Sequence, residues 1–127
     1  MELELSTTRL AICRLGADEA VPGWTAVAAG GLVSVTRTPA ELSIVVPEEV
    51  VPAGVRSEGG WRALSVRGPL SFSLTGVLSS LATPLATARV PIFVISTFDT
   101  DWLLLRDDQL AAGIAVLEEA GHAVRAR

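Results

Sequence analysis

Two short segments in the second half of the chain carry the residues best suited to bind a small charged molecule. In the turn from Ser96 to Asp101, two carboxylates could bind an ammonium or guanidinium group, or a divalent cation. Near Gly76, the N–H groups at the start of a predicted helix suit an α-carboxylate, and a glycine lets a ligand approach the backbone closely. From the residues alone, the candidates are Gly76, Asp99 and Asp101.

Each segment also has a purely structural interpretation. Asp99 and Asp101 could fix a tight turn through hydrogen bonds from side chain to backbone. Gly76 could permit helix–sheet packing while Thr75 caps the helix. Calcium is disfavoured, because it usually takes six or more oxygen ligands and no glutamate follows the turn at the required spacing. The residues alone leave the ligand-binding and structural interpretations open.

Enzymatic chemistry has little support in the sequence. His122 and Cys13 are the only histidine and the only cysteine, so a metal site built from these ligands is not predicted. No glycine-rich phosphate loop and no nucleophile elbow occur. Apolar neighbours indicate that Cys13 is a buried structural thiol, and His122 is expected to have a capping or surface role. We therefore predict no catalytic residue, no metal and no cofactor.

Composition limits the class of partner. Half of the 127 residues are hydrophobic and 19% are charged, which indicates a folded protein with apolar surface buried against another chain. Asp and Glu number 14 against 10 Arg, which disfavours nucleic acid. No apolar run reaches the roughly 20 residues that span a bilayer, and the acidic start is unlike a signal peptide. The expected location is the cytoplasm.

The second half of the chain is predicted to contain two strands between two helices. A strand, an acidic turn and a strand are predicted between Pro91 and Arg106, and Pro84 should kink the first helix. The second helix begins at Asp107, and Gly121 suits its C′ position. The buried stripes are predicted from residues three or four apart: Val77 or Leu78, Leu81, Leu85 and Ala88 in the first helix, and Leu110, Ala111, Ile114 and Leu117 in the second.

The first half repeats the same order with shorter helices. Segments 16–30 and 47–52 contain prolines, glycines and small residues that leave room for only one or two helical turns. Gly68-Pro69 is the expected seam between the halves. The predicted strands are Arg9–Leu15, Leu32–Thr36, Glu41–Val46 and Arg62–Arg67.

A family resemblance rests on four segments: Gly68 to Leu70, Thr75 to Ala86, Ile95 to Leu104, and Asp107 to Leu110. With the interrupted helix and the acidic turn in this order, the chain resembles the small ACT-domain proteins related to the CASTOR-type amino-acid sensors. The resemblance implies an α+β fold with the ferredoxin-like βαββαβ unit repeated twice, a degenerate unit in residues 1–67 and a regular one in residues 68–127.

The resemblance also implies a function. It suggests a non-catalytic regulatory protein that binds a free amino acid at ACT-domain interfaces, as a homodimer whose C-terminal modules face each other. The resemblance implies two sets of ligand-binding residues. The main-chain groups of the ligand would be held at the helix start by Thr75, Gly76, Val77 and Leu78, and the turn would close over it with Ser96, Thr97, Phe98, Asp99 and Asp101. The alternative is a protein–protein interaction module without a small-molecule ligand.

Overall fold

The described residues form eight strands and two α-helices. The computed structural model describes residues 1–27, 31–67 and 76–126. The strands are β1 (Glu2–Leu5), β2 (Leu10–Leu15), β3 (Ser34–Arg37), β4 (Leu42–Pro47), β5 (Ser57–Val66), β6 (Phe93–Ser96), β7 (Asp101–Arg106) and β8 (Ala123–Ala126). The α-helices are α1 (Val77–Thr87) and α2 (Leu110–Glu119), and short 3₁₀ helices cover Gly23–Val27, Glu48–Val50 and Asp107–Gln109. In these described ranges, no helix is long and apolar enough to cross a membrane.

The contacts divide the chain into two compact units. Residues 8–61 form one, here called the inserted unit, and residues 1–7 together with 62–127 form the other, the split unit. Strand β5 runs across the division between residues 61 and 62. The division predicted from sequence, into residues 1–67 and 68–127, stays a prediction, and its seam at Gly68-Pro69 lies outside the described residues.

The inserted unit is a four-stranded antiparallel arrangement in the order β3, β4, β2, β5. The core residues of this unit alternate along β2 and β4, so one face of each of these two strands forms the core. They are Ala11, Cys13, Leu42, Ile44 and Val46. The helices described between its strands are short 3₁₀ helices, which confirms the expectation of a ferredoxin-like copy with stunted helices.

Strand β5 begins earlier than predicted. The sequence suggested a start at Arg62, after two glycines, but the strand begins at Ser57 and contains both Gly59 and Gly60. Its register with β2 shifts between Leu10 and Ile12, and Gly60 there has a φ of 77°. A glycine in this left-handed region is typical of a β-bulge, so the glycines bend the strand rather than end it.

The split unit has the order β8, β1, β5, β7, β6. Strands β5 to β8 with α1 and α2 make a regular βαββαβ unit, which confirms the predicted fold of the second copy. Strand β1 was not predicted. It lies between β5, to which it is antiparallel, and β8, to which it is parallel. Leu3 is 1% exposed, so the alternating Glu-Leu-Glu-Leu segment buries its leucines as a half-buried strand does.

Both helices pack their leucines onto the sheet of the split unit. The core contains Leu3, Leu64, Val66, Leu81, Leu85, Val90, Leu103, Leu105 and Leu117. The predicted stripes were partly wrong, because Ala88 and Ala111 are exposed, whereas Val77 packs against the core as one of the two residues predicted for that place. Gly113, which the sequence did not single out, is buried on α2 instead. A Cβ built there would lie 2.3 Å from Cδ2 of Leu105, so this glycine lets the helix approach β7 closely.

A candidate amino-acid site at the β6–β7 turn

Threonines, not aspartates, close the turn between β6 and β7. Ser96 and Asp101 are the last paired residues of the hairpin, so Thr97 to Thr100 form the turn itself. The backbone N–H of Thr97 donates to the Thr100 carbonyl at 2.8 Å. The Thr97 hydroxyl donates to the same oxygen at 3.1 Å and accepts from the Thr100 N–H at 3.3 Å. The turn conformation therefore has its hydrogen bonds without any carboxylate.

Asp99 and Asp101 form no side-chain hydrogen bond or ion pair within residues 1–27, 31–67 and 76–126. Asp99 is exposed, and Asp101, the first residue of β7, is half-buried. The structural interpretation of these aspartates therefore finds no bond to the backbone among the described residues, and their role in binding a ligand stays a prediction. Two carboxylates are thus available at the end of the hairpin, where a cationic group could reach them.

A second threonine bond holds the turn against strand β5. The Thr100 hydroxyl donates to the carbonyl of Val66 at 2.6 Å. Val66 is the last residue of β5, and the chain then continues toward α1. This bond therefore places the turn beside the end of β5. Thr100 was not among the candidate residues, although the spacing of Thr97 and Thr100 is a sequence signal for a turn closed by threonine.

Helix α1 begins without a capping side chain. Gly76 occupies its N-cap position with φ of 78° and ψ of 0°, and its carbonyl accepts from the Ser80 N–H at 2.9 Å. The predicted cap, Thr75, lies outside the described residues. A Cβ at Gly76 would have nothing within 4 Å, so close packing does not require this glycine. The left-handed backbone does require it.

The first turn of α1 presents donors and an apolar side chain. The first N–H groups of a helix have no intrahelical acceptor, and they lie at the positive end of the helix dipole. Val77 packs against the core of the split unit, whereas Leu78 is 37% exposed. The start of the helix therefore combines N–H donors for an anion with apolar surface beside them.

Phe98 is the most exposed large apolar residue among those described. It stands in the turn and is 81% exposed. An aromatic side chain buries a large area when it meets a ligand or another protein, so its exposure here marks a contact surface. The structure thus brings Ser96, Thr97, Phe98, Asp99 and Asp101 together in one hairpin end.

Other chemistry is poorly supported in the described part of the chain. No cluster of three or more His, Cys, Asp or Glu side chains there could hold a metal ion. Cys13 is 1% exposed, which confirms the expected buried thiol. Burial raises the pKa of the Cys13 thiol, so little thiolate forms at neutral pH and the residue is a poor nucleophile.

Family comparison agrees with this fold and with the earlier resemblance. The model of the ACT domain matches residues 56–119, about half of the chain. The chain belongs to the ACT domain family. A second family model, described as an N-terminal domain, matches residues 8–54. The two matches meet near the start of β5, so the C-terminal match contains α1, the β6–β7 hairpin and α2.

This ACT-domain chain is similar to one relative over less than half of its length and to another over nearly all of it. The human cytosolic arginine sensor for mTORC1 subunit 1 is 37% identical over 59 residues, which cover 46% of this chain and 18% of the sensor. The chain thus spans about a fifth of the length of that relative. A protein of Agrobacterium tumefaciens with a crystal structure is 40% identical, with a TM-score of 0.92 over 99% of this chain and 92% of the other.

A third similarity concerns the fold alone. The ligand-free regulatory subunit of aspartate kinase from Thermus thermophilus has a TM-score of 0.60 at 15% identity, covering 94% of this chain and 96% of that subunit. The names of these relatives describe a sensor and a regulatory subunit rather than catalytic domains.

Proposed function

We propose that this ACT-domain protein is a non-catalytic regulatory protein that binds a free amino acid. The observation that carries the proposal is that Asp99 and Asp101 have no side-chain partner among the described residues. The Thr100 bond to Val66 at the end of β5, and the start of α1 at Gly76 without a side-chain cap, support one site formed by both segments. Similarity to an arginine sensor and to an aspartate kinase regulatory subunit supports the same class of function.

Each part of the site has a role in this proposal. The first N–H groups of α1, around Gly76 and Val77, hold the α-carboxylate of the ligand. Asp99 and Asp101 receive its amino group or a cationic side chain. Leu78 and Phe98 cover the apolar part of the ligand. Thr75, Ser96 and Thr97 complete the set of contacts.

We further propose that two copies of the chain complete the site. Phe98 exposes most of its ring, and an isologous dimer would bury that ring while closing the ligand between two C-terminal modules. Light scattering at micromolar concentration should report a dimer. A stable monomer over that range would contradict this part of the proposal.

The relative's name places that protein in the cytosol, and we propose the same compartment here.

The direct test is a thermal-shift screen against the twenty proteinogenic amino acids. A ligand at about 100 times its dissociation constant stabilises the native state by about 2.7 kcal/mol, which raises the melting temperature by several degrees. We expect one or a few amino acids to give such a shift and to bind in calorimetric titration. If all twenty leave both measurements unchanged at millimolar concentration, the proposal is wrong.

The alternative function is an interaction module that binds another protein without a small ligand. The exposure of Phe98 is the observation that favours it. In that case, Phe98→Ser should abolish the protein contact while no amino acid changes the melting temperature of the wild type. Under the amino-acid proposal, the same substitution weakens ligand binding.

A further inference from the structure

Pro84 creates a gap in the hydrogen bonding of helix α1. The helix runs from Val77 to Thr87 with this proline inside it. In an α-helix the carbonyl of residue 80 accepts from the N–H of residue 84, and proline has no N–H. The proline ring also pushes against that carbonyl and turns it outward. Ser80 lies in the first turn of the helix, where a carbonyl normally accepts from the N–H four residues later. Because that residue is Pro84, the Ser80 carbonyl lacks its usual backbone donor.

His122 supplies a donor to that carbonyl. Its Nε2 lies 3.0 Å from the Ser80 oxygen, and since a carbonyl only accepts, Nε2 must donate. Its Nδ1 lies 3.0 Å from the Met1 nitrogen, which is a donor. One neutral tautomer, with the proton on Nε2, satisfies both contacts. The ring is therefore held at both nitrogens and oriented toward α1.

The end of helix α2 holds the backbone of His122 in place. Gly121 has a φ of 98°, and its N–H donates to the Glu118 carbonyl at 3.0 Å. The N–H of His122 donates to the Leu117 carbonyl at 3.0 Å. These two bonds form a Schellman motif, in which glycine takes the C′ position and histidine the C″ position. The prediction that Gly121 occupies C′ is confirmed, and this motif presents the ring to α1.

We infer that His122 is a positioning residue for the start of helix α1, acting through the carbonyl that Pro84 leaves open. Both contacts meet at Ser80, because its carbonyl accepts from His122 while its N–H donates to the Gly76 carbonyl at 2.9 Å. Gly76 begins the proposed ligand site, so the link to ligand binding rests on the proposed function. The end of one helix thus fixes the N-terminus of the other.

The test uses the amide of Ser80, whose hydrogen exchange is measured by NMR in the full chain. His122→Ala should speed this exchange roughly fivefold, the size expected for one lost hydrogen bond, while the Ala88 amide beyond Pro84 serves as reference. His122→Gln retains a donor and an acceptor and should behave as the wild type. In Pro84→Ala the new N–H can serve the Ser80 carbonyl, so adding His122→Ala there should change the exchange less than about twofold.

Equal acceleration in both backgrounds, or none in either, would overturn the inference, because His122 would then act by another route. If His122→Ala alone fails to fold, rescue by Pro84→Ala supports the inference, and failure of the double variant as well overturns it.

Titration with each of the twenty proteinogenic amino acids tests the link to the site. Affinity should fall about fivefold in His122→Ala and return in the double variant. Unchanged affinity beside faster Ser80 exchange would overturn the link. If the wild type binds none of them, the proposed function fails, and the exchange experiment still decides the role of His122.

Discussion

The inserted unit and the split unit share a strand arrangement but differ in their helices. In both, the central strands pair in the order expected for a ferredoxin-like fold, with β1 added to the split unit. The inserted unit connects β4 to β5 through residues 48–56, whereas the split unit makes the equivalent connection, from β7 to β8, through residues 107–122. The alternation of apolar and polar residues along the strands therefore specifies the sheet. The length and composition of the connections specify how much helix covers it.

This difference has a functional consequence. The 3₁₀ helices of the inserted unit have three to five residues, too short for a strong N-terminal dipole. Helix α1 has 11 residues, and the β6–β7 hairpin with its two carboxylates belongs to the same unit. Under the proposed function, the split unit therefore binds the ligand and the inserted unit does not.

The largest effect is expected where helix α2 meets the sheet of the split unit. In Gly113→Ala the new Cβ would lie 2.3 Å from Leu105 Cδ2, and Leu105 is fully buried in the core. Overpacking should exceed the gain in helix propensity, for a net loss of about 2 kcal/mol. Urea unfolding measures this loss. The matched control is Gly23→Ala in the inserted unit, where nothing lies within 4 Å. Equal stability of the two variants would show that the close approach of α2 is not required.

Alkaline pH should destabilise the protein through the inserted unit. Its core contains Cys13, whereas the split-unit core consists of Leu and Val. Burial raises the pKa of the Cys13 thiol, so the folded state holds the proton more tightly than the unfolded chain. This contribution is complete below the ordinary thiol pKa of about 8.5 and is lost as pH rises toward the folded value, by at most about 1.4 kcal/mol per pH unit. Unfolding free energies of wild type and Cys13→Ala from pH 7 to 10 measure it. Parallel curves would contradict it.

Two glycines with the same backbone geometry separate folding from binding. Gly76 in the split unit has a φ of 78° and Gly54 in the inserted unit a φ of 90°, and neither has an atom within 4 Å of a built Cβ. Alanine at either position should cost about 1 kcal/mol of unfolding free energy, because L-residues disfavour this conformation. Only Gly76→Ala should also lose amino-acid binding in calorimetric titration. Equal binding by the two variants would remove Gly76 from the site.

Much of the fold could be predicted, because its signals are local. The β6–β7 hairpin has apolar strands around a polar turn, and the end of α2 has a glycine where left-handed backbone is required. Strand β1 could not be assigned in this way. Its alternation was visible, but its place between β5 and β8 depends on pairing with residues far along the chain. Gly113 was missed for a related reason, since its contact with Leu105 exists only after folding.

The sequence predicted which residues form the candidate site better than it predicted the role of each residue. The acidic turn was recognised, and its aspartates were left open between fixing the turn and binding a ligand, whereas the Thr97 hydroxyl closes the turn and the Thr100 hydroxyl donates to Val66. Gly76 was expected to permit either the approach of a ligand or helix–sheet packing, but it precedes the helix with a positive φ. Backbone conformation at one residue depends on the packing of its neighbours, so composition could not reveal it.

The smallest effect on stability is expected from the carboxylates of the turn. Asp101→Asn should keep the unfolding free energy within about 0.5 kcal/mol of wild type, because Thr97 closes the turn and Asp101 has no side-chain partner in the described residues. If Asp101 binds the amino or cationic group of the ligand, its affinity should fall about tenfold or more, since a hydrogen bond to a charged group is lost. Asp18→Asn removes the same charge from an exposed site in the inserted unit and should leave affinity unchanged. Calorimetric titration and urea unfolding of both variants decide the outcome. Wild-type affinity in Asp101→Asn together with a loss of stability would make this carboxylate structural, and equal loss of affinity in both variants would indicate an effect of overall charge rather than a site at the turn.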